Sequence, residues 1–136
     1  MDLMPNDIRA RLLANGASAE ETDHVPVVKF FDPTGAATWL ITEMSPADSD
    51  ILYGLCDLGL GFPELGYVSL SELQAVKGRL GLGIERDLDF HARYPISVYA
   101  RAAQIAGRIT EAEALLALAA SALGKKPNPE LPPKGG

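Results

Sequence analysis

Glu85, Asp87, Asp89 and His91 stand at alternate positions, so on an extended chain three carboxylates and one imidazole share a face. Such donors could gather around a divalent cation, and with Glu64 they could serve a small metal-dependent hydrolase or nuclease. A solvated strand face carries the same pattern and is the simpler reading. Arg86 falls on the other face, with Ile84, Leu88 and Phe90. A guanidinium keeps its proton and is costly to bury without a carboxylate. Glu64, set between Pro63 and Gly66, is the expected partner and Asp57 the second choice. The pair would be either a structural ion pair or part of a binding site.

Other chemistries find less support. Cys56 sits on an apolar stretch beside Asp57, and a neighbouring carboxylate raises a thiol pKa, so a core cysteine is expected and not a nucleophile. His24 and His91 have no second histidine or cysteine at metal-finger or metalloprotease spacing. Gly59 and Gly61, like Gly81 and Gly83, stop short of GxGxxG. GxxxxGK[ST] and GxSxG do not occur. No cofactor is expected. Trp39 reads as a core residue before a binding anchor.

The elements that must position these residues are signalled locally. Ile8, Leu12 and Leu13, preceded by Pro5 and Asn6 and followed by Asn15 and Gly16, predict a short helix. Residues 26–31 and 37–44 are rich in β-branched and aromatic types, with Asp32, Pro33, Thr34 and Gly35 between them, which predicts a hairpin. Residues 51–58 predict a third strand. Ser69 and Glu72 have capping-box spacing, and Val68 and Leu73 could form a staple, so a helix is expected over 70–76. Alternation predicts a half-buried strand over 84–90. A helix over 96–106 is followed by Thr110 and Glu113, again at capping-box spacing, before an alanine- and leucine-rich helix ending at Gly124. The expected fold is α+β: a mixed, mainly antiparallel sheet of four or five strands with helices packed on one side. Residues 1–124 are expected to form one domain and residues 125–136 a disordered Pro/Gly-rich tail.

Apolar residues make up 47% of the 136 and charged ones 22%, which excludes wholesale disorder, and no apolar run reaches the length of a bilayer span. No membrane association is expected. The first eight residues lack a basic and apolar leader pattern, and one cysteine allows no internal disulfide, so a reducing, cytoplasmic setting is expected. The net charge of −6 arises before residue 96 and argues against general nucleic-acid binding, since phosphates would be repelled.

The strings PVVKFFDPTGAATWLITE, YGLCDLGLGFPELGYVSLSEL and LGLGIERDLDF, in this order, resemble the bacterial domain of unknown function family 2958, found on plasmids and integrative elements. The likeness spans about residues 25–100. It brings no catalytic residue or cofactor; it points to Trp39, Asp57, Glu64, Tyr67, Glu85, Arg86 and Asp87 as characteristic positions and so as binding candidates. The setting it implies suggests a non-enzymatic accessory protein of a mobile element that binds a protein partner, for instance as an inhibitor of a host defence complex. The alternatives are the metal-dependent hydrolase and a mimic of DNA.

Overall fold

The computed structural model describes residues 1–128. Helix α1 (Asn6–Gly16) precedes the strands β1 (Val28–Phe31), β2 (Thr38–Met44), β3 (Ile51–Asp57) and β4 (Glu64–Ser69). Helix α2 (Leu70–Ala75), the two-residue strand β5 (Glu85–Arg86), α3 (Ile96–Ala106) and α4 (Glu113–Leu123) follow. The strands form one antiparallel sheet in the order β4-β3-β2-β1-β5.

Local chemistry explains the joints. Between β1 and β2 the Asp32 carboxylate accepts from the Thr34 N–H at 2.9 Å and the Thr34 hydroxyl at 3.1 Å, an Asx turn that reverses the chain. Ser69 caps α2 by accepting from the Glu72 N–H at 3.2 Å. The same hydroxyl donates to Asp50 at 2.6 Å, and Asp50 also accepts from the Ser71 N–H. These bonds to the charged form hold the Asp50 carboxyl below its usual range, led by the Ser69 hydroxyl.

The sheet is covered on both faces, not on one side as the sequence led us to expect. Phe30, Trp39, Ile41, Met44 and Leu52 bury one face against α1, α2 and the N-terminal Leu3 and Met4. Leu40 and Leu55 bury the other against α3 and α4. The central strands are apolar at successive positions, with Trp39, Leu40 and Ile41 all buried, and a strand that is apolar on both sides needs a layer on each. Complete burial of such a side chain stabilises by about 1.5–3 kcal/mol, so leaving either face bare would forfeit several such contributions.

Two glycines permit this closeness. A Cβ on Gly16 would lie 2.0 Å from the Met44 carbonyl oxygen, and one on Gly54 would lie 2.0 Å from that of Leu40. The glycine expected to end α1 therefore lets the helix press directly on the β2 backbone.

Two expectations are corrected. Of residues 84–90 only Glu85 and Arg86 are strand, and Leu88 is exposed. Asp87 accepts from the Asp89 N–H at 2.9 Å, and this side-chain turn ends the alternation. Thr110 accepts from the Ala112 N–H at 3.1 Å, not from Glu113, so the second capping box does not form. Glu113 instead accepts from the Tyr94 hydroxyl at 2.6 Å. Of the tail, Lys125 reaches Asp23 at 3.1 Å, and residues 129–136 lie outside the described residues.

Candidate functional site

The pairing of β2 with β3 contains a bulge: Ile41 faces Gly54 and Glu43 faces Tyr53, leaving Thr42 as the extra residue. Thr42 is buried and its hydroxyl donates to the Tyr53 carbonyl at 3.2 Å. Strict alternation would aim Glu43 at the Trp39 and Ile41 side. The bulge turns it to the Leu40 side beside Tyr53, which is what bulges do near sites.

On that face α3 and α4 cover the centre of the sheet but not its β4 end. Tyr53, Tyr67 and Leu65 floor a groove of about 630 Å³ there. The chain between α1 and β1 forms one wall and the start of α3 the other. Tyr53 and Tyr67 are opposite one another across the β3–β4 pair, with ring centroids 5.1 Å apart in an edge-to-face arrangement. A smaller hollow of about 190 Å³ shares Glu43, Tyr53 and Tyr67, so these three stand at the junction of both.

The wall is held in place. Asp23 accepts from the Ser97 N–H in the first turn of α3 and from the Ser97 hydroxyl, and the Ile96 N–H donates to the His24 carbonyl at 2.8 Å. Burial disfavours the Asp23 charge, but the Ser97 bonds and Lys125 outweigh it and hold its pKa below the usual value. Pro95, at the N-cap of α3, offers no capping side chain, and Asp23 supplies that bond from across the chain.

Glu20, Glu21, Asp23 and Glu43 line the groove, and no lysine, arginine or histidine does among the described residues. His24 approaches Glu43 at 3.8 Å from outside, whereas Glu20 and Glu21 make no ion pair among the described residues. The negative field is felt by the floor: burial raises the Tyr53 pKa, and Tyr67, Glu43 and Glu21 push it further.

Of the residues singled out from sequence, only Tyr67 lies in this groove, 75% exposed. Trp39 is core, and Asp57 is buried, accepting from the Gly59 N–H at 2.8 Å and the Ile109 N–H at 2.9 Å. Glu64 is exposed on β4, paired with Cys56. Arg86 lies on β5 at the opposite edge. Four strand spacings of roughly 4.8 Å separate those edges, so the Arg86–Glu64 pair cannot form. Arg86 is half-buried, and its Nε donates to the Asp2 carbonyl at 3.3 Å. Asp57 is not its partner either. The cation beside Asp87 is Lys29, at 3.5 Å, which also binds Glu111 at 2.6 Å. Glu85, Asp87, Asp89 and His91 do not converge: among the described residues no three His, Cys, Asp or Glu side chains come together as metal ligands. Cys56 is half-buried against the Trp39 side of the core, and burial, not the neighbouring Asp57, raises its thiol pKa.

Sequence reading missed Tyr53, Glu43 and the Glu20–Asp23 wall. The acidic run before β1 was a visible signal; the bulge that delivers Glu43 was not.

A second surface adjoins the groove. The β3–β4 connection exposes Leu58, Leu60 and Phe62 at 63%, 74% and 80%. It leads into β4, which among the described residues pairs only with β3. No helix among the described residues is long and apolar enough to cross a membrane.

No curated protein and no solved structure matches the chain. The family described as protein of unknown function (DUF2958) matches residues 3–110, well over half of the sequence, and the chain belongs to that family.

Proposed function

We propose that this protein acts by binding another protein through the free edge of β4 and the apolar connection before it. The observation that carries the reading is the run of exposed Leu58, Leu60 and Phe62 leading into Leu65 and Tyr67 on an edge strand whose outer backbone is unpaired among the described residues. Such edges invite another strand unless blunted by charge or proline, and β4 itself carries one charge, Glu64, at its start. Grouped exposed apolar side chains beside that edge fit a protein interface. The plasmid setting implied by the family resemblance makes a component of a host defence complex the first partner to try.

The test is site-specific photo-crosslinking in the bacterial host with a benzophenone amino acid at position 62, and at Leu118 on α4 as the exposed control. A single protein cross-linked from position 62 and not from 118, then reconstituted with purified parent but not with Leu60→Ser/Phe62→Ser, supports the reading. Equal cross-linking from both positions, or full binding by the double variant, overturns it.

A further inference from the structure

We propose that the segment of the partner received here is extended and basic, laid along β4 with arginine or lysine side chains entering the groove over Tyr53 and Tyr67. This rests on the protein-binding reading above and names the chemistry of the bound segment. The edge asks for an extended chain, because β4 offers backbone donors and acceptors on one side only and a strand satisfies both together. The side chains of such a strand that point to the α3 face meet Leu65 and Tyr67, and behind them Tyr53.

Charge complementarity selects the sign. Four carboxylates line the groove without a cationic side chain among the described residues, so an acidic or phosphate-bearing occupant would be repelled. A bare divalent ion is the poorer match, since these carboxylates form no ligand set and such ions need several converging oxygens. A guanidinium or ammonium on a long stem suits separated carboxylates around an aromatic floor: the stem covers the rings and the head reaches Glu43, Glu20 or Glu21. The site is also preformed. The bonds of Asp23 to Ser97 and of Ile96 to the His24 carbonyl fix the acidic wall before anything arrives, which spares the ordering that weakens binding by loose loops.

The full chain is titrated, by fluorescence anisotropy, with a labelled ten-residue peptide alternating arginine and valine. Matched peptides carry citrulline or glutamate in place of arginine. The arginine peptide is expected to bind at least tenfold more tightly than the citrulline one, the glutamate peptide not at all, and binding is expected to weaken as salt is raised. Tyr67→Ala and Glu43→Gln should each weaken it about threefold to tenfold, and Glu20→Gln/Glu21→Gln similarly. Glu72→Gln, on the exposed surface of α2 in the opposite layer, should leave it unchanged. Tyr67 and Glu20 and Glu21 are exposed, so these variants keep the fold, and their thermal unfolding checks this.

Equal binding of the citrulline peptide, no binding of the arginine peptide, or an equal loss in Glu72→Gln overturns the proposal. So does self-association of the parent that Tyr67→Ala abolishes, which would make the occupant a second copy. Cross-linking from position 62 that survives such a result keeps the protein-binding reading and rejects only the basic segment.

Discussion

Removing the Asp57 carboxylate separates a structural role from a binding one. Asp57 is 2% exposed at the end of β3, and its two oxygens accept from the N–H groups of Gly59 and Ile109. The second bond ties the sheet to the connection between α3 and α4, 52 residues further along the chain. A hydrogen bond to a charged acceptor contributes about 1.5–3 kcal/mol, and a buried donor left without a partner costs a similar amount. Asp57→Ala loses both bonds and is expected to destabilise by about 3–4 kcal/mol. Asp57→Asn keeps one carbonyl oxygen but turns an N–H toward the other donor, for a loss of about 2 kcal/mol. For a chain of this size each kcal/mol lowers Tm by roughly 3–5 °C, so Asp57→Ala should melt at least 9 °C below the parent. Urea unfolding followed by circular dichroism gives the free energies, and amide exchange at Ile109 reports the particular bond. Binding of the arginine peptide at temperatures where the variant is folded should be unchanged. A loss below about 1 kcal/mol, with Ile109 still protected, would refute the account of Asp57 as a tie between layers.

Arg86→Met should destabilise by less than about 1 kcal/mol in urea unfolding, because Arg86 is half-buried and its side chain gives up one bond to a backbone carbonyl; a loss near 3 kcal/mol would mean an enclosed ion pair after all. Gly54→Ala should cost at least about 3 kcal/mol or abolish soluble expression, since its Cβ would collide with the Leu40 carbonyl in the middle of the sheet. Burial, followed by the bond to Glu113, pushes the Tyr94 pKa up to about 12, so its absorbance titration should run above that of free tyrosine, and Tyr94→Phe should cost about 1 kcal/mol. Asp23 has a folded pKa below its unfolded value, so its contribution is complete above the unfolded pKa and lost as pH falls through the folded one. Relative to Asp23→Asn, the parent should therefore lose stability at pH below about 4, and parallel acid limbs for the two proteins would contradict this.

The Asp32 turn, the Ser69 cap and the β-rich runs of β1 to β3 were legible because each depends on residues within a few positions of one another. Arg86 shows the limit. Its alternation with Ile84 correctly placed it on the core-facing side and half-buried, but alternation says nothing about which edge of the sheet a strand occupies. The second capping box failed for a related reason: the spacing of Thr110 and Glu113 is local, yet the Tyr94 hydroxyl claims Glu113 from another part of the chain.

The sequence by itself determined the α+β character, the hairpin and the family likeness, since turns, caps and apolar periodicity are short-range physics. Only the tertiary structure decided that α1 and α2 lie on one face and α3 and α4 on the other, and that β5 joins β1 so that Arg86 and Glu64 stand at opposite edges. It also decided that a bulge at Thr42 turns Glu43 toward Tyr53 and the acidic wall. These outcomes depend on which distant backbone groups pair and which faces are left to be covered, and a strand's own residues read much the same at the edge of a sheet as beside a partner.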